Sequence, residues 1–179
     1  MDAVLDLPQI GDRHAFNLAR WQEICADPQV RAIAGRVESD AHGHILMSPP
    51  PAFEHSQFQY RIARLLGELL GHDGASTECP VSTTKGIRGV DSVWISEERR
   101  KQALRSGVLF IAPEICVEVL SPGNTRNEME EKRSLLFQAG ADEVWFCDTK
   151  GRMSFFLRDA PLVAAEKSLY CPGFPESIG

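Results

Sequence analysis

The chain has 179 residues, which at about 150 residues per domain predicts one domain spanning 1–179 with room for a full hydrophobic core. Hydrophobic residues make up 43% and charged residues 25%, a balance that excludes collagen-like, disordered and membrane-spanning classes. Lys plus Arg number 19 against 25 Asp plus Glu, for a formal charge of −6. Tight nonspecific binding of nucleic acid by bulk charge is therefore not expected, and any such contact needs a local basic patch.

Asp2 and Asp6 precede the first basic residue, Arg13, which is not the pattern of a signal peptide, and no apolar run approaches the roughly 18 residues of a membrane helix. A cytoplasmic location is expected. Cys25, Cys79, Cys116, Cys147 and Cys171 are scattered, with no C-x-x-C pair, so neither a disulfide framework nor a zinc site is indicated. Cys116 and Cys147 sit in apolar runs and read as core.

In chain order, a helical pattern covers residues 15–26. Val37–Glu38 and Ile45–Met47 then flank a His-Gly-His turn as a hairpin, and Pro49, Pro50 and Pro51 break the chain. Phe58, Ile62, Leu65, Leu66 and Leu69 recur at helical spacing, predicting a helix over 54–70 closed by Gly71. A strand is predicted over 90–95 and a charged helix over 97–105. Another strand follows over 115–120, ending at Ser121-Pro122-Gly123. Asn127 as N-cap, with Glu130 three residues on, predicts a helix over 127–139. Strands over 143–147 and 153–156 are joined by a turn at Asp148–Gly151. Strand-helix-strand and hairpin patterns together predict an α/β (α+β mixed) fold, a mixed central sheet flanked by helices.

Several residues do not suit their surroundings. Glu118 lies inside the apolar strand Ile-Cys-Val-Glu-Val-Leu and shares a face with Cys116 and Leu120. Burying it unpaired would cost several kcal/mol, so it needs a cation, a hydrogen-bond network or a metal, unless that strand edge reaches solvent. Lys132 falls at the centre of the stripe made by Met129, Leu135, Leu136 and Ala139. It either snorkels to solvent or meets Glu118, since a helix following a strand packs back on the same sheet. Asp91 stands at the start of its strand, with Val93 and Ile95 on its face, where mixed sheets place their sites; the plainer reading is a turn aspartate after Gly89. His55, in the first turn of its helix, is either a satisfied core histidine or a group near an anion. Glu38 ends the first hairpin strand and could face the same cleft. Two acids and a lysine are the parts of metal-dependent phosphodiester cleavage: carboxylates hold Mg²⁺, and lysine offsets developing negative charge.

Gly-His-Ile-Leu-Met-Ser-Pro-Pro-Pro (43–51) followed by His55, Gly-Val-Asp-Ser-Val-Trp-Ile-Ser (89–96), and Ala-Pro-Glu-Ile-Cys-Val-Glu-Val-Leu-Ser-Pro (112–122) occur in that order. Glu-Lys-Arg (131–133) and Ala-Gly-Ala-Asp-Glu-Val-Trp-Phe-Cys-Asp (139–148) continue the series. In this succession the chain resembles the Uma-type putative restriction endonuclease family of the PD-(D/E)XK nuclease superfamily, over most of its length. Val90 stands where that family commonly has proline, and Glu114 where it commonly has aspartate.

The resemblance implies a restriction-endonuclease-like domain: an N-terminal helix and hairpin (1–51), a nuclease core (52–160) and a C-terminal segment (161–179). It implies Asp91 and Glu118 as metal-binding acids for Mg²⁺ or Mn²⁺, and Lys132 as the lysine moved from the sheet, where Leu120 now stands, to the next helix. It further implies hydrolysis of DNA by a metal-activated water. Two other functions stay open: a non-cutting module that binds nucleic acid or protein, and a hydrolase of a smaller phosphodiester. Lys85 and Arg88 before the site strand, and Arg99, Arg100, Lys101 and Arg105 after it, are candidate phosphate contacts or a solvated face. A nuclease cutting both strands is expected to act as a homodimer.

Overall fold

The computed structural model describes residues 12–179, so Asp2 and Asp6 lie outside the described residues. Asp12 caps α1 (Arg13–Ala26), its carboxylate accepting the Ala15 N–H at 3.0 Å. A short α2 (Pro28–Arg31) leads to β1 (Arg36–Ser39) and β2 (Ile45–Ser48), an antiparallel two-stranded hairpin. The proline stretch ends it and α3 (Phe53–Leu70) begins. It stops at Gly71, whose φ of 113° is open to glycine and strained for other residues.

The remaining strands form one sheet in chain order: β3 (Ala75–Thr83), β4 (Gly86–Trp94), β5 (Ile115–Val119), β6 (Glu143–Cys147), β7 (Met153–Leu157) and β8 (Ala160–Ala165). Only the β5–β6 pair is parallel, because α5 (Arg126–Gln138) carries the chain back across the sheet between them. α4 (Glu97–Ser106) bridges β4 and β5. The sheet is thus mixed and flanked by helices, as the pattern of the sequence predicts.

Both faces are covered. On one, Ile62 and Leu66 of α3 pack with Ile115, Val117, Trp145 and Phe155, closed by Phe174 and Ile178 of the C-terminal segment. On the other, Leu136 of α5 packs with Cys116, Val144, Phe146 and Phe156. Cys116 and Cys147 are both buried. Among the described residues no helix is long and apolar enough to cross a membrane.

Four expectations need correction. β3 and β8 are strands that the polar and proline-bearing sequence did not predict. α5 is capped not by Asn127 but by Thr125, in a capping box with Glu128: the Thr125 N–H donates to Glu128 Oε2 at 2.8 Å and the Glu128 N–H to Thr125 Oγ1 at 3.3 Å. Leu69 is not on the buried stripe of α3, being 46% exposed, and Gln59 takes a buried place there instead. Asp91 sits in the middle of β4, not at its start, because pairing with β3 extends the strand back to Gly86.

Candidate active site

The site begins with a fault in the sheet. In a regular strand residues four apart share a face, yet Val90 packs in the α5-side cluster while Trp94 packs on the α3 side. On the partner strand Cys79 and Ala75 divide in the same way. The reversal falls at Glu78 and Asp91, which would face one another if the pairing of Thr77 with Ser92 and Cys79 with Val90 continued between them. Glu78 has a φ of 53°, a left-handed conformation that costs a non-glycine residue about 1 kcal/mol or more. Strand alternation therefore does not carry across Asp91, contrary to the expectation that it shares the face of Val93 and Ile95.

The β4–β5 ladder ends at Ser92 and Val117, and its next step would set Asp91 against Glu118. There the strands part. The Val119 N–H, which a ladder carbonyl would otherwise accept, donates to Asp91 Oδ2 at 2.7 Å. His55 Nε2 lies 3.3 Å from the same oxygen, and the Arg36 guanidinium bonds Oδ1. Asp91 is almost wholly buried. Burial alone would raise its pKa, but the bond to His55 and the charges of Arg36 and Lys132 outweigh it and hold the carboxyl well below the usual range.

Glu118 is buried at the end of β5 with Lys132 Nζ 2.8 Å from Oε2, while its Oε1 has no hydrogen-bond partner. Burial pushes its pKa up to about 8 against the pull of Lys132, with Asp91's charge adding to the rise. Lys132 also donates to the Gly89 carbonyl at 2.8 Å and stands 3.8 Å from Glu38 Oε1, which accepts the Gly89 N–H at 2.8 Å. Burial disfavours the ammonium, but Glu118, Glu38 and Asp91 together raise its pKa above the ordinary lysine value.

The structure thus brings Asp91, Glu118, Lys132, His55 and Glu38 together from β4, β5, α5, α3 and β1. Lys132 reaches the buried acid rather than snorkelling away from it. Three further groups complete the cluster. Arg36 forks onto Glu78, with Nε at 2.8 Å and Nη2 at 2.6 Å, and Gln59 donates to Glu78 Oε1 at 2.6 Å and to the Asp91 carbonyl at 2.7 Å. Gln59 was findable, four residues beyond His55 on the stripe of Ile62 and Leu66. Arg36 and Glu78 carried no comparable signal. Of the basic residues, Arg88 lies beside Glu38 at 3.4 Å and Lys85 pairs with Glu131. The residues of α4 lie beyond the far end of β4 from Gly89. There Arg99 holds Glu114, Asp142 and the Ala112 carbonyl, a structural role, and Lys101 pairs with Glu97.

Two carboxylates with one orphaned buried oxygen are hard donors of the kind Mg²⁺ or Mn²⁺ takes, completing its shell with water and substrate oxygens. The residues present fit such an ion, which Asp91 and Glu118 would hold. Among the described residues no three His, Cys, Asp or Glu side chains form a ready metal cage, and Arg36 now occupies one Asp91 oxygen.

The model of the Uma2 family, described as putative restriction endonuclease, matches residues 27–170. Among solved structures the chain is similar to a putative nuclease belonging to DUF820 from Anabaena variabilis ATCC 29413. The TM-score is 0.64 at 15% identity, covering 83% of this chain and 92% of that one. At that identity the likeness shows the fold. No curated protein matches the chain.

Proposed function

The chain belongs to the Uma2 family of putative restriction endonucleases, and we propose that it is a Mg²⁺- or Mn²⁺-dependent endonuclease that hydrolyses phosphodiester bonds of DNA. The observation that carries this reading is the convergence of two buried acids and an inward lysine where β4 and β5 part, with Glu118 Oε1 left unpartnered. Asp91 and Glu118 hold the ion, which when bound polarises the scissile phosphate and lowers the pKa of an attacking water. Lys132, fixed by Glu118 and the Gly89 carbonyl, offsets the negative charge that grows on the attacked phosphate. His55 orients the Asp91 carboxylate. Glu38 holds the Gly89 backbone and sets the position of Lys132. Cutting both strands calls for two copies of the site, so a cytoplasmic homodimer belongs to the same proposal.

A divalent-metal titration joined to a plasmid-nicking assay tests it. Lys132→Ala should lower nicking by about 100-fold or more even at saturating metal, where the loss of the Glu118 partner no longer limits metal binding. Asp91→Ala and Glu118→Ala should lose metal binding as well. Equal nicking by wild type and Glu118→Ala would mark the activity as a contaminant. The Arg36 contact on Asp91 favours one rival, a module that binds nucleic acid or protein without cutting: on that reading Arg36 permanently neutralises Asp91 and no divalent ion binds. Metal-dependent cleavage of a small phosphodiester but not of plasmid would instead identify the third reading.

A further inference from the structure

Lys132 and Arg133 are neighbours on α5, about 100° apart around its axis, and they serve different places. Lys132 turns to Glu118. Arg133 lies over the adjoining strands, its guanidinium carbon 4.1 Å from the ring centre of Phe156 and 5.9 Å from that of Phe146. Phe146 is the direct partner of Glu118 in the parallel β5–β6 pair, so the two sites are one strand apart on the same face.

Arg133 is only 6% exposed. Among the described residues no carboxylate, carbonyl or hydroxyl accepts any of its N–H groups. Its nitrogens still touch solvent, so water meets the donors that no protein group takes. The aromatic stack uses the face of the group and leaves this donor edge free for a ligand.

That edge lines a cavity of about 560 Å³ between α5 and strands β6–β8, within the size range of small-molecule sites. Its apolar wall comes from Leu120, Met129, Phe146, Phe156, Leu162 and Ala164. The other charged groups there are committed. Glu130 accepts Arg126 Nε at 2.7 Å, and Asp148 Oδ1 takes the N–H groups of Lys150 and Arg152 at 2.8 and 2.9 Å. Among the described residues Arg133 is the cation there without an ion pair, on a wall that also carries the Asp148 carboxylate, held by backbone N–H groups alone.

We infer that this cavity binds a small organic oxyanion, a phosphate monoester or carboxylate on an apolar body, with Arg133 taking the oxyanion and Leu120, Met129 and Leu162 taking the body. Two oxygens of a carboxylate or a phosphate match the guanidinium fork in two parallel hydrogen bonds. The inference goes beyond the nuclease reading and does not depend on it.

Calorimetric titration of the full chain in EDTA tests it, with thymidine 5′-monophosphate, phenylacetate and inorganic phosphate as probes. One of the two organic anions should bind with Kd at or below about 1 mM, and inorganic phosphate more weakly. Arg133→Met keeps the packing on Phe156 and removes the donors, so affinity should fall at least about tenfold. Leu162 is 81% exposed, so Leu162→Glu spares the fold while setting a carboxylate at the rim, and a similar loss is expected. Lys132→Met should leave affinity unchanged, which separates this cavity from the acid cluster. Tighter binding of the nucleotide would identify a nucleotide site, and tighter binding of phenylacetate a site for free carboxylic acids. Failure of both organic anions to bind, binding of inorganic phosphate equal to theirs, or affinity indifferent to both Arg133→Met and Leu162→Glu would overturn the inference. So would binding lost in Lys132→Met.

Discussion

On the proposed function Glu118 carries opposing demands: burial favours its neutral form, and a metal would need its anion. With the carboxyl near pH 8 in the metal-free chain, proton and metal compete for it. Below that value a rise in pH removes the proton, so divalent affinity should climb by about tenfold per pH unit and level off above pH 8. Calorimetry across that range checks the slope, and a flat profile would place the ion away from Glu118. Arg36 sets a second competition, since its contact with Asp91 must loosen for a metal to use that oxygen. Arg36→Gln should therefore strengthen divalent binding, by about tenfold if one charge-assisted hydrogen bond is what the ion displaces. Weaker binding in that variant would mean that Arg36 serves to position Asp91. Glu118 and Lys132 were legible in the sequence because each interrupts an apolar pattern. Arg36 and Glu78 were not: a charge in the short strand β1 looks like ordinary surface until the fold brings β1 onto β4, and Glu78 sits among polar residues of an edge strand, turned toward Arg36 only by its left-handed backbone.

Elements were legible where one face is buried and unreadable at the edges of the sheet. β3 and β8 are its two outer strands, and each contains a proline, Pro80 and Pro161, which an edge tolerates because one side needs no N–H donor. In β3 Ser76, Thr77 and Glu78 are exposed in a row, and in β8 Leu162 and Val163 are exposed side by side, so the period-2 signal fails in the places where a strand has only one neighbour to satisfy. The cap of α5 lies two residues before the one the sequence favours because Asn127 and Thr125 are both good capping types, and only the reciprocal bonds with Glu128 decide between them. Thr125→Ala should cost about 1 kcal/mol in denaturant unfolding. The same loss should fray the turn that precedes Lys132 and lower nicking with it. Gly86, at the turn between β3 and β4, has a φ of +94°, and a Cβ there would come 2.3 Å from the Asp40 and Ser39 carbonyl oxygens. Gly86→Ala should therefore push the β1–β2 hairpin off β4 and cost roughly 1–3 kcal/mol from backbone strain, before the clash is counted. Glu38 and Arg36 would leave the cluster with the hairpin. A variant that unfolds like wild type would show that the hairpin docks by other contacts.

At the scale of the molecule, the proposed function asks a chain with net charge −6 to engage a polyanion. The cations at the cleft are already committed: Arg36 to Glu78 and Asp91, Arg88 to Glu38, Lys85 to Glu131, and Lys132 to Glu118. Most of the local field is thus cancelled before a substrate arrives. On the proposed function a divalent ion held by Asp91 and Glu118 would change the balance, because it would neutralise the two acids and leave Lys132 and Arg36 to face phosphate. DNA affinity should then depend on metal far more than in proteins that hold DNA by a basic surface. With Ca²⁺ in place of Mg²⁺, a cation that takes the same oxygen ligands, binding should be measurable by fluorescence anisotropy; in EDTA it should fall by about 100-fold or more, the equivalent of two charge-assisted contacts. The salt dependence should be shallow. If only the freed Lys132 and Arg36 meet phosphates, log affinity should fall with log salt at a slope of about −2, near 0.9 per contact on duplex DNA. A slope of about −6 or steeper, or binding that survives EDTA undiminished, would show that DNA is held by a surface outside this cleft and would remove the acid cluster from the account of substrate recognition.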